Sequence, residues 1–130
     1  DDPQASMPGE ILPSREFYSY EAKYVDDSSG LLIPAPIPDQ TAQLARALAV
    51  QAYQAIDCSG LARVDFLLDK DSGKLFLNEV NTIPGFTQIS MYAKLWAAAG
   101  VSYPELVDRL IALALQRKEE RNQTERRYTR

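Results

Sequence analysis

Two stretches, Ala62-Arg63-Val64-Asp65-Phe66 and Leu77-Asn78-Glu79-Val80-Asn81, decide how this chain folds. Between them lies Asp69-Lys70-Asp71-Ser72-Gly73, a run of turn-forming residues. The pattern predicts an antiparallel hairpin whose strands cover residues 61–68 and 74–81. Side chains alternate between the two faces of a strand. Arg63 and Asp65 therefore share a face, as do Glu79 and Asn81. If these strands pair, an arginine, two carboxylates and an amide can converge on one surface.

Such groups are costly beside apolar strand residues unless they have partners. Two readings satisfy that demand. In one, Arg63 neutralises Asp65 or Glu79 in a buried ion pair. In the other, the oxygens of Asp65, Glu79 and Asn81 suit a divalent cation, and the guanidinium suits a phosphate oxygen. Asn81 adds little to a salt bridge but completes an oxygen-ligand set. Downstream, Pro84-Gly85-Phe86-Thr87 forces a loop over residues 82–87, where a glycine lets a ligand approach main-chain amides. By itself such a turn is weak evidence.

Working outward, residues 39–56 are the clearest helix. Asp39 or Thr41 is expected to cap it, with Leu44, Leu48, Gln51, Ala52 and Ala55 approximating one face. Gly60 is expected to mark the exit toward the first hairpin strand. Further helices are expected over about residues 89–99 and 102–117, separated by Gly100, with Ser102 and Glu105 at capping-box spacing. Leu106, Leu110, Leu113 and Arg117 recur along one side of the last, most simply as a packing stripe. Residues 10–12 read as a short strand, and residues 17–25 as a second extended segment. Residues 26–30 read as a turn, and the prolines from Pro34 exclude helix over residues 31–38. The expected fold class is α+β, an antiparallel sheet packed against helices. It occupies residues 1–117, with a mobile loop at about 14–32 and a polar basic tail at 118–130.

Composition narrows the chemistry. With no histidine and Cys58 as the lone cysteine, an ordinary zinc site is nearly excluded and any metal would be held by oxygen. An internal disulfide is impossible. The net charge of −4 argues against non-specific nucleic-acid binding. No apolar run approaches the roughly 20 residues that cross a bilayer. There is no Walker A motif, which disfavours a P-loop enzyme.

The blocks Tyr20-Glu21-Ala22-Lys23-Tyr24, Ala62 to Phe66, and Asn78-Glu79-Val80-Asn81-Thr82-Ile83-Pro84-Gly85-Phe86-Thr87 resemble the D-alanine–D-alanine ligase family of ATP-grasp enzymes. The resemblance implies the C-terminal part of an ATP-grasp fold. It implies that Asp65, Glu79 and Asn81 hold two Mg2+ ions (or Mn2+) on ATP, and that Arg63 contacts the transferred phosphoryl group. Gly85 would offer its N–H to a tetrahedral intermediate. Lys23 and Asn78 would meet the nucleotide, and Tyr24, Ser90 and Met91 the substrate. Tyr24 stands where enzymes making D-alanyl-D-lactate tend to carry phenylalanine, which favours the dipeptide product.

The family's N-terminal domain and glycine-rich ATP-grasp portion have no counterpart in this sequence. The resemblance therefore implies an upstream portion of the same enzyme as partner, homodimerisation of the whole, a bacterial cytoplasmic setting and D-alanine as substrate. Membrane and nucleic acid are not expected partners. Two other readings compete: a D-alanine–D-lactate or other carboxylate–amine ligase of this fold, and a non-catalytic nucleotide-binding module.

Overall fold

The hairpin is the organising element. A computed structural model of the chain describes residues 2–12 and 30–125. In chain order these form β1 (Glu10–Leu12), β2 (Gly30–Leu32), α1 (Asp39–Ala55), β3 (Arg63–Leu68), β4 (Leu75–Asn81), α2 (Met91–Ala98) and α3 (Tyr103–Glu125). The class is α+β, with two antiparallel two-stranded sheets, β1–β2 and β3–β4.

Turn chemistry closes the β3–β4 hairpin where expected. The Asp69 N–H donates to the Lys74 carbonyl at 2.9 Å, and the Gly73 N–H donates to the Asp69 carbonyl at 2.8 Å. Gly73 has φ +72°, a left-handed conformation in which a Cβ is unfavourable. From the turn, Leu68 opposes Leu75, Leu67 opposes Phe76 and Phe66 opposes Leu77. The register then shifts: Asp65 opposes Glu79, Val64 opposes Val80 and Arg63 opposes Asn81. Asn78 is thus the extra residue of a bulge on β4.

Helix α1 packs on both hairpin strands. Its buried positions are Ala42 and Ala45, not the expected Leu44 face; Leu44 is half exposed. Small side chains let the helix approach its neighbours closely, and leucine bulk is not what this contact uses. No side chain caps α1: Pro38 stands at the cap position instead of Asp39 or Thr41. Proline fixes φ near the helical value and lacks only a donor that a first turn leaves unused. The exit also precedes Gly60. Asp57 adopts φ +51°, its N–H donates to the Gln54 carbonyl at 3.0 Å, and the Cys58 N–H donates to the Tyr53 carbonyl at 3.0 Å. This is a Schellman closure carried by aspartate.

A second cluster lies between α2 and α3. Ala93, Val101 and Leu106 are buried there, with Phe86, Tyr92, Trp96, Tyr103 and Leu110 packed around them. Strand β1 reaches this region through Gly9, where a Cβ would lie 2.9 Å from Leu95 Cδ2. Helix α2 begins at Met91, later than expected, because Ser90 is its cap. Ser102 caps α3 as expected, accepting from the Glu105 N–H at 3.3 Å. The Glu105 carboxylate accepts from Arg109 at 2.6 Å. The leucine stripe buries only its start: Leu106 is buried, Leu110 is half-buried, and every residue from Ile111 to Thr124 is exposed. The helix nonetheless continues to Glu125 and does not stop at residue 117.

Residues 30–32, read as part of a turn and proline-rich connection, form β2 and pair with the expected strand β1. The reading of residues 17–25 lies outside the described residues. So does most of the expected loop at 14–32.

Candidate active site

The open end of the hairpin gathers the four polar residues. Asp65 and Glu79 oppose each other, and Arg63 and Asn81 form the next directly opposed pair on the same face. Like charges directly opposite destabilise a sheet unless a counter-charge intervenes. Arg63 supplies it. Its Nε donates to Asp65 Oδ1 at 2.8 Å and its Nη2 to Asp65 Oδ2 at 3.0 Å, a two-pronged contact. The same Nη2 lies 3.7 Å from Glu79 Oε1. The Arg63 side chain is 15% exposed, Asp65 29% and Glu79 54%, so the cluster opens toward Glu79. The ion-pair geometry weighed from sequence is therefore present, on the same residues that offer oxygen ligands.

Those residues fit a magnesium ion. Asp65, Glu79 and Asn81 place two carboxylates and an amide on one face, with Glu79 accessible. Magnesium is commonly held by one or two carboxylates, with waters and substrate phosphates completing its shell. Among the described residues no group of three or more His, Cys, Asp or Glu side chains forms a metal cluster. Two carboxylates and an amide suit an ion that arrives with phosphate ligands better than one caged by protein alone.

The chain leaves this cluster along a short connected path. Asn81 Oδ1 accepts the Ile83 N–H at 3.1 Å, which ties this amide to the start of the loop. Pro84 is buried and Gly85 half-buried. Gly85 is not among the glycines with positive φ, so its missing Cβ, not its handedness, is what a close ligand approach would use. Phe86 anchors the loop from beneath, its ring centroid 5.4 Å from Tyr103 and 6.1 Å from Tyr92. Burial pushes the Tyr92 hydroxyl above its ordinary range, an effect partly offset by a hydrogen bond with Trp96. The loop ends at Ser90, whose Oγ donates to the Thr87 carbonyl at 2.7 Å and accepts the Ala93 N–H at 3.5 Å. Met91 is the first residue of α2 and half-buried.

An open cleft of about 1510 Å3 is lined by Arg63, Asp65, Asn78, Glu79, Gly85, Ser90 and Met91, among others. It also reaches Ala45 and Val50 of α1 and is a broad concavity, not a closed pocket. Asn78 enters it from the bulge. Lys23 and Tyr24 lie outside the described residues. Sequence reasoning missed the aromatic anchor, although Tyr92 and Trp96 stand at helical i,i+4 spacing, their centroids 6.5 Å apart. It also missed the bulge, which leaves no compositional trace.

Comparison with known proteins bears on this geometry. A family model described as D-ala D-ala ligase C-terminus matches residues 1–112. A D-alanine–D-alanine ligase of Acetivibrio thermocellus is 56% identical over 117 residues, 90% of this chain and 31% of the relative. Among solved structures, the D-alanine–D-alanine ligase of Coxiella burnetii superposes with a TM-score of 0.81 at 37% identity, covering 96% of this chain and 32% of that one. The VanG D-Ala:D-Ser ligase of Enterococcus faecalis gives 0.69 at 39% identity, covering 83% and 31%. The chain thus spans about a third of the length of the proteins it resembles.

Proposed function

The chain belongs to the D-ala D-ala ligase C-terminus family, and from that premise we propose that it supplies the phosphate-facing part of an ATP-dependent D-alanine–D-alanine ligase. Its fold is the C-terminal part of an ATP-grasp fold. The observation that carries the reading is the convergence of Arg63, Asp65, Glu79 and Asn81 on one face beside the Gly85 loop.

In the proposed reaction a D-alanine carboxylate oxygen attacks the γ-phosphorus of ATP, breaking its bond to the bridging oxygen and releasing ADP. The amine of a second D-alanine attacks the acyl phosphate carbon, phosphate leaves, and the amine loses a proton as the peptide bond forms. Asp65, Glu79 and Asn81 would hold magnesium, two ions in the family pattern, and bound magnesium neutralises charge on the phosphates. Arg63 offers a planar fork of donors to the transferred phosphoryl oxygens. Gly85 presents its N–H to the tetrahedral intermediate's oxyanion. Ser90 and Met91, at the start of α2, bind the second substrate's carboxylate, where the positive end of the helix dipole favours an anion. Lys23 and Asn78 complete the nucleotide contacts, and Tyr24 favours an amine nucleophile. Under this reading the remaining two-thirds of the enzyme supplies the first D-alanine site and the adenine site. The completed enzyme is a homodimer in the bacterial cytoplasm. Among the described residues no helix is long and apolar enough to cross a membrane.

The D-Ala:D-Ser ligase likeness favours one alternative, a different second substrate at the same site. The test is phosphate release by the complete protein carrying this chain, with ATP and D-alanine, then with D-serine or D-lactate added as competing second substrate. Dipeptide formation from D-alanine alone is expected. ATP turnover that ignores D-alanine would refute the proposal, and a mixed product would reassign the second substrate.

A further inference from the structure

We propose that Arg63 is a place-holding cation, which must release Asp65 before a metal ion can bind there, so that metal and phosphate enter as one unit. The inference rests on the reading above, and it adds an order of binding which that reading does not contain.

Three observations lead to it. Asp65 and Glu79 are directly opposed in the ladder, where like charges destabilise the pairing unless a cation lies between them. Arg63 fills that place now, with donors on both Asp65 oxygens at 2.8 and 3.0 Å and one nitrogen 3.7 Å from Glu79. The oxygens it occupies belong to the group that would coordinate the metal. Magnesium binds oxygen at about 2.0–2.1 Å. An ion that close to Asp65 would share the carboxylate with a guanidinium a few ångströms away, and the two cations repel.

A free metal ion must therefore compete with Arg63 without offering it anything. A metal–polyphosphate complex is different. It brings the divalent charge that replaces the guanidinium between the carboxylates. It also brings phosphate oxygens, which the guanidinium can grip with two donors at once. The exchange leaves no charged group unpaired. Lysine, a point charge without the fork, would hold Asp65 less firmly.

The experiment is Mn2+ binding by the complete protein carrying this chain, followed as metal retained with the protein after ultrafiltration, with and without inorganic triphosphate. Four proteins are compared: wild type, Arg63→Met, Arg63→Lys and Asp65→Asn. Thermal melts check that each is folded. Removing the guanidinium should tighten binding of Mn2+ alone about tenfold. Arg63→Lys should shift it the same way by less, which preserves the test if the methionine variant fails to fold. Triphosphate should strengthen Mn2+ binding to wild type more than to Arg63→Met. If Asp65→Asn weakens Mn2+ binding but neither Arg63 variant tightens it, the metal site stands and the place-holder role is overturned. If Mn2+ binding is indifferent to Asp65→Asn, the metal assignment itself fails and the place-holder falls with it.

Discussion

The two ends of the β3–β4 hairpin both hold carboxylates, and they hold them differently. At the turn, Asp69 accepts from the Ser72 hydroxyl at 2.6 Å and from the Asp71 N–H at 3.1 Å. Those bonds, the Ser72 hydroxyl first, hold its carboxyl below the ordinary value of 3.8. All these partners belong to the turn itself. At the open end Asp65 is held by a side chain, and Glu79, 54% exposed, is held only loosely by the same guanidinium. A carboxylate satisfied within its own turn has finished its work in folding. One satisfied by a rotatable cation can trade that cation for another.

The largest test of this contrast is Glu79→Gln. The substitution keeps the shape and removes the charge at an accessible position. Turnover of the completed enzyme should fall by about a hundredfold or more, while far-UV circular dichroism stays unchanged. Unfolding of the variant would instead make the open end a structural ion pair like any other.

A smaller effect is expected beneath the Gly85 loop. Phe86→Ala removes a half-buried ring stacked on Tyr103 and should cost about 2 kcal/mol in urea unfolding, less than the full cost of a buried phenylalanine. A variant with wild-type stability would show that the loop is anchored elsewhere.

The smallest effect belongs to the turn. Asp69→Asn should lower the melting temperature by only about one or two degrees near neutral pH. Because the folded pKa is depressed, the wild-type advantage is present above the unfolded value and is lost as pH falls through the folded one. Melts from pH 7 to pH 3 should therefore converge on acidification. A gap that widens toward low pH would overturn the assignment.

Much of this was legible in the sequence because it depends on near neighbours. The turn residues 69–73, the alternation that joins Arg63 to Asp65 and Glu79 to Asn81, and the cap at Ser102 all act within a few positions. What escaped depends on distant contacts. Residues 30–32 are a strand because Glu10, Ile11 and Leu12 lie across from them, and no local propensity announces that pairing. The buried face of α1 was misread because leucines dominate an apolar pattern, whereas the packed positions are the alanines Ala42 and Ala45. The roles of Lys23 and Tyr24 rest on resemblance alone.

The bulge at Asn78 has a consequence for how this site tolerates change. Strict alternation along β4 would put Leu75, Leu77, Glu79 and Asn81 all on one side. The extra residue divides them: Leu75 and Leu77 pair with Leu68 and Phe66, while Glu79 and Asn81 pair with Asp65 and Arg63. The side on which Glu79 stands is therefore set by the bulge together with the number of residues between the turn and the cluster. Deleting Asn78 would restore regular alternation and leave Glu79 opposite Asp65 on the same side, whereas inserting one residue and pairing regularly would keep that side but slide Glu79 to a place opposite Arg63. The bulge therefore fixes which residue of β3 each polar side chain of β4 meets, as well as the side on which it stands.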